Sequence, residues 1–171
     1  MYDYNAGEEL ILVKRAKKQD TEAFAKLYEK VYKDLYRFAL CTMRHPQDAE
    51  DAVSEAVVKA YVNLPNLQKA ESFRSWMFRI LVNVCKKKWL ESHREELVEE
   101  QPEEAAEPDY AESRDVRDAF ASISKEEQMI VGLSVFGGYN SSEIGELLTL
   151  NSNTVRSKRS RALEKMGSIL E

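Results

Sequence analysis

The sequence predicts an all-α protein of two small helical domains joined by an acidic linker. Helical hydrophobic spacing runs through most of the chain, with no long alternating stretch of the kind a strand needs. Helix breakers are few, with only 6 Gly and 4 Pro. One segment, 99–112 (EEQPEEAAEPDYAE), combines two prolines with almost no bulky apolar residue, a composition that cannot bury enough surface to fold. The expected boundaries are a first domain at 1–95, a linker at 96–112 and a second domain at 113–171. At 171 residues and 43% hydrophobic, the chain is long and apolar enough to bury a core.

Each helix has a local reason. Glu8 to Lys18 has helical character. Asp20 is an N-cap for a longer helix to about Arg44, whose apolar positions are Phe24, Leu27, Val31, Leu35, Phe38 and Ala39. His45-Pro46 breaks it, because the residue before proline avoids the α region. A third helix is expected from Gln47 to Leu64 on the stripe Ala49, Val53, Val57, Ala60 and Leu64. Residues 63–72 contain Pro65 and read as a loop. Ser72 caps a fourth helix to about Arg94 that carries Phe73, Trp76, Met77, Ile80, Leu81 and Val84. After the linker, helical spacing resumes from Ser113 to Ile123. Ser124 opens the next helix with Glu127 at the capping-box position, and Gly137-Gly138 ends it.

The segment Gly138–Met166 reads as a helix-turn-helix. Asn140 with Glu143 three residues later repeats the capping-box spacing, and Ile144, Leu147 and Leu148 form the apolar face. Leu150 lies in the turn, where Thr149 stands at a position glycine would fill more easily. Asn151 caps the second helix, from Ser152 to about Ile169, with Val155, Ala162, Met166 and Ile169 in one stripe and Arg159 intruding on it. The aliphatic stem of Arg159 covers the stripe while its head reaches solvent or phosphate. Arg156, Ser157, Ser160 and Arg161 point away from the stripe, and Lys158 falls at its flank. Such a helix enters the DNA major groove, where Arg bonds guanine bidentately and Lys or Ser reaches phosphate. The candidate DNA contacts are Ser152, Asn153, Thr154, Arg156, Ser157, Lys158, Ser160 and Arg161. A merely solvated basic face is the alternative, but Arg156 and Lys158 lie near the helix start, where the dipole disfavours cations.

The formal net charge of −5 conceals a segregated distribution. From Phe73 to Arg94 the balance is six basic residues to one acidic, from Glu95 to Asp115 one to ten, and from Ser152 to Met166 five to one. Two basic modules thus flank an acidic connector, and DNA meets the local field rather than the mean. No apolar run is long enough for a membrane span, and no secretory leader pattern opens the chain, so a cytoplasmic location is expected. Cys41 and Cys85 are expected as reduced thiols. With His45 and His93 they lack metal-ligand spacing, and no glycine-rich phosphate loop or nucleophile–base pair is present. No metal, cofactor or enzymatic activity is expected.

Two further blocks accompany the helix-turn-helix. In the first, Ala49 to Tyr61 (AEDAVSEAVVKAY), Asp51, Ser54, Glu55 and Val58 lie opposite the core stripe. The second is Phe73 to Val84 (FRSWMFRILVNV), followed by Lys86, Lys87 and Lys88. Together with GYNSSEIGELLTLNSNTVRSKRSRALEKM, these blocks resemble bacterial RNA polymerase sigma factors. The likeness is greatest to the extracytoplasmic-function (ECF) group, which keeps regions 2 and 4, and it spans nearly the whole chain. The resemblance implies a subunit that binds core RNA polymerase and directs promoter recognition and opening. It implies that Asp51, Ser54, Glu55 and Val58 dock on the polymerase clamp helices, with Ser54 standing where the family usually has Gln. Asn83 matches the residue implicated in minus-ten recognition on the non-template strand, a strand best read when a base leaves the stack. Arg74, Arg79, Lys86, Lys87 and Lys88 would supply the phosphate-facing charge beside it, with Lys86 at a position where many relatives have Asp. The 63–72 loop would build part of the minus-ten pocket. The helix-turn-helix would face promoter DNA at the minus-thirty-five element. An anti-sigma factor is implied as a further partner. The linker would occupy basic nucleic-acid channels of the polymerase by imitating phosphate charge, a solubilising tether being the alternative. The competing reading is a conventional helix-turn-helix regulator with an N-terminal sensing or dimerisation lobe. The Asp51–Glu55 and Trp76–Asn83 blocks discriminate against it, because a sensing lobe gives no reason for them. The sequence leaves the mutual placement of the two domains open.

Overall fold

A computed structural model describes residues 6–68, 73–95 and 114–170. Among them it contains α1 (Ala6–Lys17), α2 (Thr21–Met43), α3 (Pro46–Asn63), α4 (Phe73–Glu95), α5 (Arg114–Ala121), α6 (Lys125–Val135), α7 (Ser141–Leu148) and α8 (Ser152–Leu170), with a 3₁₀ turn at Leu64–Asn66. No strand occurs among the described residues, in keeping with the all-α expectation. The acidic linker, the Ser72 cap and residues 69–72 of the expected loop lie outside the described residues.

Local chemistry sets the helix ends. The Asp20 carboxylate accepts from the Ala23 N–H at 3.2 Å and pairs with Arg15 at 2.7 Å. Both contacts hold its pKa below the ordinary value, the backbone hydrogen bond most strongly. α2 closes on Arg44 in the left-handed region (φ 66°), whose N–H returns to the Leu40 carbonyl. Pro46 sits in the first turn of α3, where a missing N–H costs nothing. Ser124 and Glu127 form a complete capping box at the start of α6.

One cluster of buried side chains runs from Leu12 and Val13 of α1 through α2, α3 and α4 into α6, α7 and Val155 of α8. The two expected domains therefore share a core. Across that core α6 packs directly on α2. Gly132 lies so near the Phe38 ring that a Cβ there would sit 2.9 Å from Cδ2. The Phe38 ring meets Phe78 of α4 edge-on, with centroids 6.0 Å apart. Such a pair adds roughly 0.5–1.5 kcal/mol beyond the area it buries. Arg44 donates to the Ala121 carbonyl at 3.1 Å, and Lys125 donates to that of Thr42. A smaller cluster of Ile123, Val131 and Ala162, flanked by Phe120 and Met166, packs α8 on α5 and α6. Buried Gln128 donates to the Phe120 and Ile123 carbonyls and so satisfies the last turn of α5.

The α8 stripe departs from expectation at its end. Val155 and Ala162 are buried and Met166 is half-buried, but Ile169 is 44% exposed. Lys165 donates to the Ser122 carbonyl where α8 leaves α5, and the last turn runs beyond the elements that cover the stripe.

Cys85 is buried and Cys41 partly exposed. Burial pushes the Cys85 thiol from 9.0 up to about 11. A pKa raised in the folded state means that this group's contribution to stability is whole below pH 9.0 and is lost as the pH climbs toward 11. Titration of the native protein with a disulfide reagent at mildly alkaline pH is expected to give one fast phase from Cys41. A slow phase from Cys85 should follow unfolding, and urea should merge the two. Equal rates in the native state would contradict the burial of Cys85.

Candidate nucleic-acid interface

Three exposed strips on three helices hold most of the candidate residues. The first belongs to α7 and α8. Asn140 accepts from the Glu143 N–H at 2.9 Å, and the Glu143 carboxylate accepts from the Asn140 N–H at 2.8 Å. The turn between the helices places Thr149 in the left-handed region (φ 58°, ψ 49°) with its N–H on the Gly145 carbonyl. Leu150 N–H also reaches that carbonyl, at 2.8 Å. A Cβ at position 145 would stand 2.5 Å from the Leu150 carbonyl oxygen. The glycine this turn requires is thus at Gly145, which sequence reasoning overlooked, and Thr149 bears the positive φ. Asn151 caps α8 by accepting from the Asn153 N–H at 2.8 Å.

Along the first half of α8, Asn153, Arg156, Ser157, Ser160 and Arg161 are exposed, and Ser152 and Thr154 are half-buried. Arg156 donates to the Ser152 hydroxyl at 3.3 Å and Arg161 to the Ser157 carbonyl at 3.3 Å. Both guanidiniums thus lie along the outer face. Lys158 is turned inward, half-buried in an ion pair with Glu126 of α6. Arg159 also faces α6, donating to the Ser134 hydroxyl at 3.4 Å rather than sending its head outward. These two cations clip α8 to α6.

The second strip is on α4. Arg79, Asn83 and Lys87 are exposed and follow one another at four-residue spacing, so they share a face. Arg74 is placed elsewhere. Its guanidinium is only 15% exposed and pairs with Asp34 of α2 at 3.1 Å. It also donates to the Phe136 carbonyl and lies 5.1 Å from the centre of the Phe78 ring. Lys86 is half-buried and reaches the Leu147 carbonyl at the end of α7, 3.5 Å away. Lys88 pairs with Glu55 at 3.5 Å. Asp34 was missed in the sequence. Its signal was a carboxylate set between Val31 and Leu35 on the apolar side of α2.

The third strip is the outer face of α3. Asp51, Ser54 and Val58 are exposed, and Glu55 is partly covered by Lys59 at 3.1 Å. The Lys59 hydrogen bond, with Lys88 behind it, holds the Glu55 carboxyl below the ordinary carboxylate range. Val62, one turn beyond Val58, is 68% exposed and extends the strip.

Between α4 and α7 lies a cleft of about 280 Å³, lined by Ser75, Arg79, Tyr139, Glu143, Glu146 and Leu147. Tyr139 spans it. Its hydroxyl donates to the Ser75 carbonyl at 3.2 Å, its ring meets Phe78 edge-on, and burial pushes its pKa up. The cleft is below the roughly 300–1,000 Å³ of pockets that enclose small organic ligands, and its wall is mostly polar and charged. Among the described residues, no group of His, Cys, Asp and Glu is arranged to hold a metal. No helix among them is long and apolar enough to cross a membrane.

The chain matches the family models Sigma-70 region 2 over residues 27–95 and Sigma-70, region 4 over residues 113–166. It is 28% identical over 156 residues to RNA polymerase sigma factor SigV of Bacillus subtilis (strain 168), across 88% of this chain and 93% of that protein. It is 25% identical over 154 residues to ECF RNA polymerase sigma factor SigM of Mycobacterium tuberculosis, across 88% of this chain and 79% of that one. Among solved structures, sigma factor RpoE in complex with the anti-sigma factor NepR from Bartonella quintana superposes with a TM-score of 0.75. The identity is 20%, over 86% of this chain and 96% of that one. CnrH in complex with the cytosolic domain of CnrY gives a TM-score of 0.70 at 21% identity, over 95% and 97% of the two chains. With both regions matched in order and ECF sigma factors among relatives that align along most of the chain, the chain belongs to the ECF group of bacterial RNA polymerase sigma factors, the non-enzymatic initiation factors that recognise promoters.

Proposed function

We propose that this sigma factor docks on core RNA polymerase through α3 and reads promoter DNA at two points, with α4 at the minus-ten element and α8 at the minus-thirty-five element. The supporting observation is that each strip is exposed on its own helix, at spacing that gives it one face. On α3 the strip is Asp51, Ser54, Glu55 and Val58. On α4 it is Arg79, Asn83 and Lys87, with Lys86 and Arg74 beside it in contacts that DNA would have to displace. On α8 the leading contacts are Arg156, Ser157, Ser160 and Arg161, while Ser152, Asn153, Thr154 and Lys158 flank them. Residues 1–95 and 113–171 form the two functional units, with 96–112 as their acidic connector. The protein acts without catalysis of its own, in the cytoplasm, and it has an anti-sigma factor as a regulatory partner. Support for that partner is that RpoE and CnrH were each captured in complex with a second protein, named as an anti-sigma factor for RpoE.

Charge reversal at Asp51 and Glu55 together is expected to weaken co-purification with core polymerase, and more so as salt rises. Unchanged binding would count against the α3 assignment. Arg156→Ala should cost about 1–3 kcal/mol of affinity for the upstream element if the guanidinium reads a base, measured by fluorescence anisotropy. An unaltered sequence preference would remove Arg156 from the groove. Asn83→Ala is expected to leave polymerase binding intact and to reduce permanganate reactivity of thymines in the minus-ten region. Normal melting by that variant would refute the role of Asn83.

A further inference from the structure

The outer strip of α3 does not stop at Val58. Val62 lies one turn further on the same face, with Tyr61 and Pro65 beside it, and all of these side chains are exposed. An apolar end thus adjoins the polar end formed by Asp51, Ser54 and Glu55. A single exposed apolar residue needs no explanation, but a contiguous group marks a surface that meets something.

The apolar end is concave. A hollow of about 240 Å³ opens between Tyr61, Val62 and Pro65 on one side and Ala16, Lys17 and Gln19, where α1 turns into α2, on the other. Its walls are held from behind. The Tyr61 ring meets Phe24 edge-on, with centroids 5.3 Å apart. The Gln19 N–H bonds the Ala16 carbonyl at 2.9 Å in a left-handed turn (φ 66°), and the Leu67 N–H closes the 3₁₀ turn on the Leu64 carbonyl at 3.0 Å. The hollow therefore exists before any partner arrives, and filling it demands little further ordering of the protein. It is smaller than the roughly 300–1,000 Å³ of pockets that enclose a small organic ligand. Its size suits one side chain delivered from a protein surface.

We propose that this hollow is a socket for one bulky apolar side chain of core RNA polymerase, anchoring the far end of the α3 strip, a role that rests on the reading of α3 as the polymerase-docking helix. Continuity names the occupant. A surface lying along Asp51, Ser54, Glu55 and Val58 reaches Val62 within one further turn, about 6 Å. Charge sets the chemistry of that surface. Asp51 and Glu55 call for a basic residue, and Val62 stands two turns beyond Glu55, so the apolar side chain follows the basic one by roughly 10 Å along the helix. The two ends act differently. The carboxylates steer the encounter and are screened by salt. The apolar anchor is buried on docking, slows departure and is not screened.

The test uses the full chain and purified core polymerase. Val62→Asn changes an exposed side chain for one of similar size without adding charge, so circular dichroism and thermal melting should match the wild type. The variant should bind core about tenfold more weakly or worse, by the same factor at low and high salt. Charge reversal at Asp51 and Glu55 gives the contrast, a loss that changes with salt. The photo-cross-linker benzoylphenylalanine placed at position 62 should capture a core subunit, on a peptide that carries a bulky apolar residue. Wild-type affinity of Val62→Asn, while the charge reversal still weakens binding, overturns the socket and leaves the docking helix standing. A weakened Val62→Asn whose position captures no core subunit overturns it as well. If neither Val62→Asn nor the charge reversal alters core binding, the reading of α3 has failed, and the socket falls with it.

Discussion

The contact of α6 with α2 is the constraint on which the rest of this structure depends. A glycine at 132 lets a helix axis approach the Phe38 ring more closely than any side chain would allow. That approach places Lys125 and Arg44 within reach of backbone carbonyls across the boundary, and it sets Tyr139 over Phe78. A chain whose composition reads as two units and a tether thereby acquires a common core. The position of the exposed α8 strip relative to the α3 and α4 strips follows from this seam.

Electrostatics divides the basic residues into two populations. Arg74, Lys86, Lys88, Lys158 and Arg159 bind carboxylates, carbonyls or a hydroxyl within the protein. Arg79, Lys87, Arg156 and Arg161 sit on exposed faces. The first group organises helices, and the second carries the outward field. Buried or half-buried pairs such as Arg74–Asp34 are costly to break from one side, because the abandoned charge stays desolvated. The exposed cations carry no such cost and are free to exchange solvent for phosphate.

What was legible in the sequence was what depends on neighbours in the chain. Asp20, Ser124 with Glu127, and Asn140 with Glu143 act within one helical turn, so their spacing announced the helix starts. The α3 and α8 strips were legible for the same reason, since periodicity fixes which residues share a face. What depends on distant partners was not legible. Arg74 and Lys158 read as outward charge because Asp34 and Glu126 are 40 and 32 residues away. Gly145 and Gly132 carried no visible reason, since one answers to a carbonyl in the following turn and the other to a ring from α2. Ile169 kept perfect spacing but lay beyond the end of its cover.

The clip between α8 and α6 has a mechanical meaning. Lys158 on Glu126 and Arg159 on Ser134 tie α8 to α6 at two points. The close fit of Gly145 under Leu150 stiffens the turn that joins it to α7. The three helices are therefore tied into one unit, which meets α2 at the Gly132–Phe38 seam. The orientation of the exposed α8 face is thus set where α6 packs on α2, and not at that face itself.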